Sequence, residues 1–258
     1  VRAWLPFTVG VLFLGGTAVP AGAAVAAVDY VALGDSYAAG TGSSASGDSC
    51  GRRSTGYPAL WAASHAVTSY QNLACARDRT SDVLSEQISA LGAGSDLVTL
   101  TVGGNDIGFI DTIVTCVLWS DDSCLGAIAD GNEILENDLP GRLDTVNAAI
   151  RAAAPDAEVV VVGYPWLFEP GTCPGGLSLV KRQALNDTAD RLDDLIAARA
   201  QAAGFTFADV RTAFEGHRVC SGTPWLNRVD LLALTATYHP NDTGYEQGYL
   251  ATLNKLTD

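Results

Sequence analysis

The chain contains no methionine, only three histidines in 258 residues, and no CxxC pair. A histidine base, if there is one, must therefore be His65, His217 or His239. A thiolate metal cluster normally needs closely spaced cysteines, so the six present, Cys50, Cys75, Cys116, Cys124, Cys173 and Cys220, do not read as metal ligands. Neither a metal nor a cofactor is expected. Basic residues are scarce as well, 15 against 29 acidic ones, for a formal net charge of −14. Such a surface repels phosphate backbones and anionic membranes, which argues against a nucleic-acid partner.

What is present begins with an apolar stretch over residues 5–19, preceded by Arg2 and followed by small residues at Ala21-Gly22-Ala23 and Ala24-Val25-Ala26. This is the pattern of a secretory signal over residues 1–26. The stretch is short for a membrane span and contains Pro6 and several glycines, so no stable membrane insertion is expected after cleavage. An uncleaved N-terminal anchor is the alternative. Residues 27–258 then suffice for one domain with a sizeable core. An even cysteine set in an exported chain favours three disulfides, and neighbour order suggests 50–75, 116–124 and 173–220.

Short β-branched runs alternate with amphipathic stretches. The expected strands are 29–33 (DYVAL), 70–74 (YQNLA), 97–102 (LVTLTV), 158–163 (EVVVVG) and 205–209 (FTFAD). Helical spacing is clearest over 81–91 and 177–203, with Gly204 placed as a C-terminal cap. Alternation of this kind implies a three-layer α/β/α sandwich around a parallel sheet of about five strands, in order 2-1-3-4-5. The binding crevice of such a sheet opens at the carboxyl ends of its strands. Two of the segments found there carry chemistry, Gly34-Asp35-Ser36 and Gly103-Gly104-Asn105-Asp106.

Ser36 sits where the first strand ends, a place suited to a nucleophile with backbone N–H groups nearby. A lone GDS more often only caps a helix, and a second one, Gly47-Asp48-Ser49, lies in a serine-rich loop with no strand before it. Asn105 offers an uncharged donor for an oxyanion, though Gly-Asn and Asn-Asp also favour turns. The third element is His239, in ATYHPND.

GDSYAAG around Ser36, GGND around Asn105 and YHPN around His239, in that order, resemble the SGNH hydrolases, the GDSL esterases and lipases, and most of all their small secreted actinomycete branch. The cysteine pattern resembles that branch too. The resemblance implies an acyl-enzyme esterase in which Ser36 is the nucleophile and His239 the general base. The oxyanion hole would comprise the Ser36 N–H, the Asn105 side chain and a main-chain N–H after the second strand. Relatives usually place glycine at that last position; here Arg77 stands in its place. Its side chain either points outward and pairs with Asp78 or another carboxylate, or narrows the crevice and offers a guanidinium to an anion.

His65 and His217 have no neighbouring motif. An Asp three residues before the histidine orients it in many relatives, but here that position is Ala236. Asp242 reads as a helix-start residue, with Asn241 or Asp242 as cap and a capping-box spacing from Thr243 to Glu246. Asp230 could be brought in by folding. The simpler arrangement is a Ser–His dyad in which a main-chain carbonyl, of Ala236 or Thr237, accepts the proton on the second ring nitrogen. Trp119, Trp166 and Trp225 fall in loops and are not placed in the site. The expected partner is a small-molecule or lipid ester and the expected state a monomer. A phospholipase, a carbohydrate deacetylase, or a non-catalytic lipid- or glycan-binding protein are alternatives on the same scaffold.

Overall fold

The computed structural model describes residues 1–4, 27–230 and 234–257. From residue 5 onward, the expected signal segment lies outside these residues. The elements run β1 (Val28–Gly34), α1 (Ser36–Ala39), α2 (Tyr57–Ser64), β2 (Val67–Asn72), α3 (Thr80–Asp82), β3 (Leu97–Thr101), α4 (Phe109–Leu118), α5 (Asp121–Asn137), α6 (Leu139–Ala153), β4 (Glu158–Val162), α7 (Leu179–Ala202), β5 (Thr206–Ala208) and α8 (Ala251–Thr257).

The strands form one parallel sheet in the order β2-β1-β3-β4-β5. β3 is buried along its whole length and β4 at all but its first residue, as continuous apolar runs require when both sheet faces are covered. The helices fall into two packing groups. α2 and α8 both pack on the π-helical turn Gly244–Leu250, whereas α4 to α7 pack against one another. The sheet lies between them, so the architecture is the expected sandwich.

Two local expectations are corrected, and a third is resolved between its alternatives. The second strand begins at Val67 and ends at Asn72, earlier than the apolar run 70–74 indicates. The stretch 81–91 is not one helix: α3 passes into a π-helical turn, Val83–Gln87, and then a 3₁₀ turn, Ile88–Ala90. The break aims the Gln87 side chain back at β1, where its Oε1 accepts from the Gly34 N–H (2.7 Å) and its Nε2 donates to the Gly34 carbonyl (2.9 Å). Finally, the capping side chain before Gly244 is Asn241, whose Oδ1 accepts the Gly244 N–H (3.1 Å), while Asp242 Oδ1 accepts the Ser44 N–H (2.8 Å) from another loop.

Glycine is required where β1 meets β3. Gly34 has φ +131°, and a Cβ there would lie 2.2 Å from the Thr101 carbonyl oxygen. Close approach at this point sets the ends of β1 and β3 side by side, and with them the two loops that carry Ser36 and Asn105.

Candidate active site

α1 is a single turn that begins at Ser36. Asp35 caps it by accepting the Tyr37 N–H (2.9 Å), and Gly40, with φ +93°, ends it. The Ser36 hydroxyl is thereby held at the carboxyl end of β1, facing the loop after Leu234–Ala236.

His239 meets it there. Its Nε2 lies 2.7 Å from Ser36 Oγ, and its Nδ1 lies 3.1 Å from the Thr237 carbonyl oxygen. The Ala236 carbonyl is taken by the His239 main-chain N–H (3.2 Å), so the carbonyl facing the ring is that of Thr237. Since a carbonyl can only accept, Nδ1 carries the proton and Nε2 presents its lone pair to the serine hydroxyl. Both ring nitrogens are thus occupied, and neither partner is a carboxylate. Burial holds the imidazole down to about 4, partly opposed by the Thr237 bond and aided by the charge of Arg53. The ring is neutral at pH 7.

The loop around this histidine is tied on three sides. The Tyr37 ring packs on the imidazole (centroids 4.7 Å apart), and its hydroxyl donates to the Tyr238 carbonyl (3.0 Å). Asn227 donates through Nδ2 to the carbonyls of Gly42 (2.9 Å) and His239 (3.1 Å). Gly42, with φ +97°, leaves room for this: a Cβ would come within 2.7 Å of His239 Cβ.

Asn105 follows β3 and is nearly buried. Its Nδ2 donates to the Asp78 carbonyl (2.9 Å), which fixes the carboxamide and leaves its second N–H available. Asp106 accepts from the Thr80 hydroxyl (2.6 Å) and N–H (3.0 Å), joining this loop to α3. Arg77 has φ +78°, the left-handed conformation that glycine adopts freely. Its N–H has no acceptor among the described residues. The Cys50–Cys75 disulfide and the Ala76 N–H bond to the Cys50 carbonyl (2.8 Å) hold the segment. The side chain is exposed, but the expected pairing with Asp78 is not formed. Asp78 instead accepts from Gln87 Nε2 (2.7 Å), and no carboxylate pairs with Arg77 among the described residues.

Several residues of this cluster were not singled out by sequence. Tyr164, just after β4, donates its hydroxyl to Asp35 Oδ2 (2.6 Å) and accepts the Gly104 N–H (3.2 Å), bridging the serine and asparagine loops. Burial pushes Asp35 up to about 7, against the pull of the Tyr164 and Tyr37 bonds. The position of Tyr164 at a strand's carboxyl end was the available signal; Gln87 and Asn227 had none.

A groove of about 340 Å³ runs from Ser36 and His239 along α4, past Phe109, Ile113, Val114, Val117 and Leu118, with Leu234 opposite. Its walls are mostly aliphatic. None of the three loop tryptophans lines it: Trp166 stacks under Arg218, Trp225 packs on His217 and Phe214, and Trp119 points to solvent. His217 stacks on Trp225 and His65 on Trp61. The remaining disulfides are Cys116–Cys124 and Cys173–Cys220. Among the described residues, no helix is long and apolar enough to cross a membrane, and no group of His, Cys, Asp and Glu could hold a metal ion.

Residues 32–247 match the GDSL-like lipase/acylhydrolase family. The chain is 47% identical to Lipase 1 of Streptomyces coelicolor over 254 residues, covering 97% of this chain and 94% of that protein. The crystal structure of an extracellular lipase from Streptomyces rimosus superposes with a TM-score of 0.86 at 46% identity, covering 89% of this chain and 99% of that one. Phospholipase A1 from Streptomyces albidoflavus superposes with a TM-score of 0.87 at 44% identity, with the same coverage. The chain therefore belongs to the GDSL-like lipase and acylhydrolase family, and it is a carboxylic ester hydrolase.

Proposed function

We propose that the protein is a secreted lipid-ester hydrolase that works through a Ser–His dyad and an acyl-enzyme. The observation that carries the reading is the pair of bonds on His239, 2.7 Å to Ser36 Oγ on one side and 3.1 Å to the Thr237 carbonyl on the other. Ser36 Oγ attacks the ester carbonyl carbon while its proton passes to Nε2. The second ring proton stays on Nδ1, which donates it to the Thr237 carbonyl. The oxyanion is received by the Ser36 and Arg77 N–H groups and by Asn105 Nδ2. Collapse of the adduct breaks the carbon–oxygen bond to the alcohol, which leaves with the proton from Nε2. Water, giving a proton to Nε2, then attacks the acyl-serine; the acyl–Oγ bond breaks, Nε2 returns the proton to Ser36 Oγ, and the fatty acid leaves.

An aliphatic groove leading to the nucleophile suits an acyl chain. Secretion over the 1–26 signal is supported by the three disulfides and by the extracellular source of the similar Streptomyces rimosus lipase. A phospholipase reading is favoured by one observation, the exposed Arg77 guanidinium on the groove wall, together with the likeness to a phospholipase A1.

The test is covalent trapping. A fluorophosphonate ester should add once, on Ser36, as read by intact mass and peptide mapping, and should block hydrolysis of p-nitrophenyl butyrate. Labelling of another residue, or full activity in Ser36→Ala, would refute the mechanism.

A further inference from the structure

Beyond residue 27, six large apolar side chains stand exposed among the described residues: Leu118, Trp119, Leu179, Val180, Leu234 and Leu256. The first five belong to one region. Leu118 and Trp119 end α4, and Leu179 and Val180 form the first turn of α7. These two helix ends are bound to each other. Lys181 Nζ donates to the carbonyls of Cys116 (2.8 Å) and Trp119 (2.7 Å), and Ser178 Oγ donates to Asp121 Oδ1 (2.9 Å). The Cys116–Cys124 disulfide closes the turn between α4 and α5. A corner tied at so many points presents Trp119, 67% exposed, as a fixed feature and not as the tip of a loose loop.

Leu118 and Leu234 also line the mouth of the groove that ends at Ser36. The exposed apolar surface is therefore continuous with the path to the nucleophile. Scattered surface leucines are ordinary, but a contiguous apolar set at a site entrance marks an interaction surface.

The charges around it select the occupant. Lys181 and Arg182, the cations of this corner, are turned inward onto carbonyls, Arg182 onto those of Leu177, Glu169 and Gly171. Lys181 also pairs with Asp121 (3.5 Å), and the further exposed charges beside Trp119 and Leu118 are the carboxylates of Asp111 and Asp122, with Arg77 on the groove wall. An anionic surface would be repelled by this rim and by the net charge of −14. A zwitterionic or neutral one would not.

We infer that Trp119, Leu118, Leu179, Val180 and Leu234 form a docking surface for a zwitterionic or neutral lipid interface, from which an acyl chain enters the groove. The inference rests on the lipid-ester reading above. Tryptophan suits the role because its ring has a large apolar body and a polar N–H for the headgroup level. Attachment of this kind scales with the apolar area removed from water.

The test is flotation of the full chain with vesicles of diether phosphatidylcholine, which contains no ester to cleave, and of diether phosphatidylglycerol. The chain should bind phosphatidylcholine vesicles, and phosphatidylglycerol vesicles more weakly. In Trp119→Ser/Leu179→Ser, vesicle partition should fall by about tenfold or more, while hydrolysis of dissolved p-nitrophenyl acetate stays within about twofold of the parent. Unchanged partition in this variant, or stronger binding to phosphatidylglycerol, overturns the inference. So does a concentration-dependent dimer that the variant dissolves without any vesicle binding by the parent, since the occupant is then a second copy. If the parent hydrolyses no dissolved ester yet its vesicle binding still depends on Trp119 and Leu179, the docking surface stands and the catalytic reading falls.

Discussion

The carbonyl oxygen of Thr237 lies 3.1 Å from Nδ1 of His239, only two residues further along the chain. The Nδ1 acceptor therefore comes from the histidine's own loop, while the Tyr37 ring packs on the imidazole from α1. The arrangement fixes the tautomer as a carboxylate would, but it adds no full negative charge to stabilise an imidazolium. The consequences for pH, for the oxyanion donors and for the choice of substrate can each be measured.

The first is the acid limb of activity. Burial lowers the His239 pKa from 6.5 to about 4, so the base stays neutral and competent well below pH 6.5. In kcat/KM for p-nitrophenyl butyrate, the acid limb should fall below pH 5. A limb centred at 6.5 or above would indicate a negative partner on the ring. The same shift affects stability with a definite sign: between pH 6.5 and 4 the unfolded chain binds a proton that the native His239 refuses. Its contribution is lost as pH falls through that window. Asp35, raised to about 7, acts in the opposite direction, its contribution being lost as pH rises toward 7.

Asn105 is held by its bond to the Asp78 carbonyl with one amide N–H to spare. Asn105→Ala should lower kcat by about 10²- to 10³-fold with a smaller change in KM, because the donor serves charge that develops in the transition state. An equal rise in KM with kcat unchanged would assign it to ground-state binding.

Arg77 contributes through its backbone in this account, and its φ of +78° costs an L-residue something that glycine avoids. Arg77→Gly should retain kcat/KM within about threefold and raise stability by about 0.5–1 kcal/mol, read from denaturant unfolding. A loss of activity beyond about a hundredfold would place the guanidinium in the transition state instead.

Val114 lies on the groove-facing side of α4. Val114→Trp should shorten the accepted acyl chain, lowering kcat/KM for p-nitrophenyl decanoate at least about tenfold relative to the butyrate. An unaltered ratio would move the acyl path elsewhere.

The sheet was legible because both faces of β3 and β4 are covered, leaving runs such as LVTLT and EVVVV with little polar interruption. α7 showed itself by its length and by Gly204, which takes φ +73° just beyond it. β2 was placed two to three residues late because Val67–Asn72 is an edge strand, half exposed and rich in polar residues. The helix expected over 81–91 failed where the need for Gln87 to reach Gly34 overrides helical periodicity. In the candidate site, Ser36, Asn105 and His239 were singled out through motif order, and the missing acid three residues before His239 pointed to a local carbonyl. Tyr164 and Asn227 escaped notice because they act through contacts 129 and 185 residues away in sequence. A single tyrosine or asparagine carries no trace of such a partner. The Arg77 reading erred in its partner: Gln87 had already engaged Asp78.

The most direct test of the dyad is kcat/KM for Asp230→Asn/Asp242→Asn, which neutralises both carboxylates near His239 while keeping their size and hydrogen-bonding capacity. The account predicts activity within about threefold of the parent, because the acceptor of the Nδ1 proton is the Thr237 carbonyl and not a carboxylate. A loss of several hundredfold, about 3 kcal/mol or more, would show that a carboxylate completes the site and would contradict it.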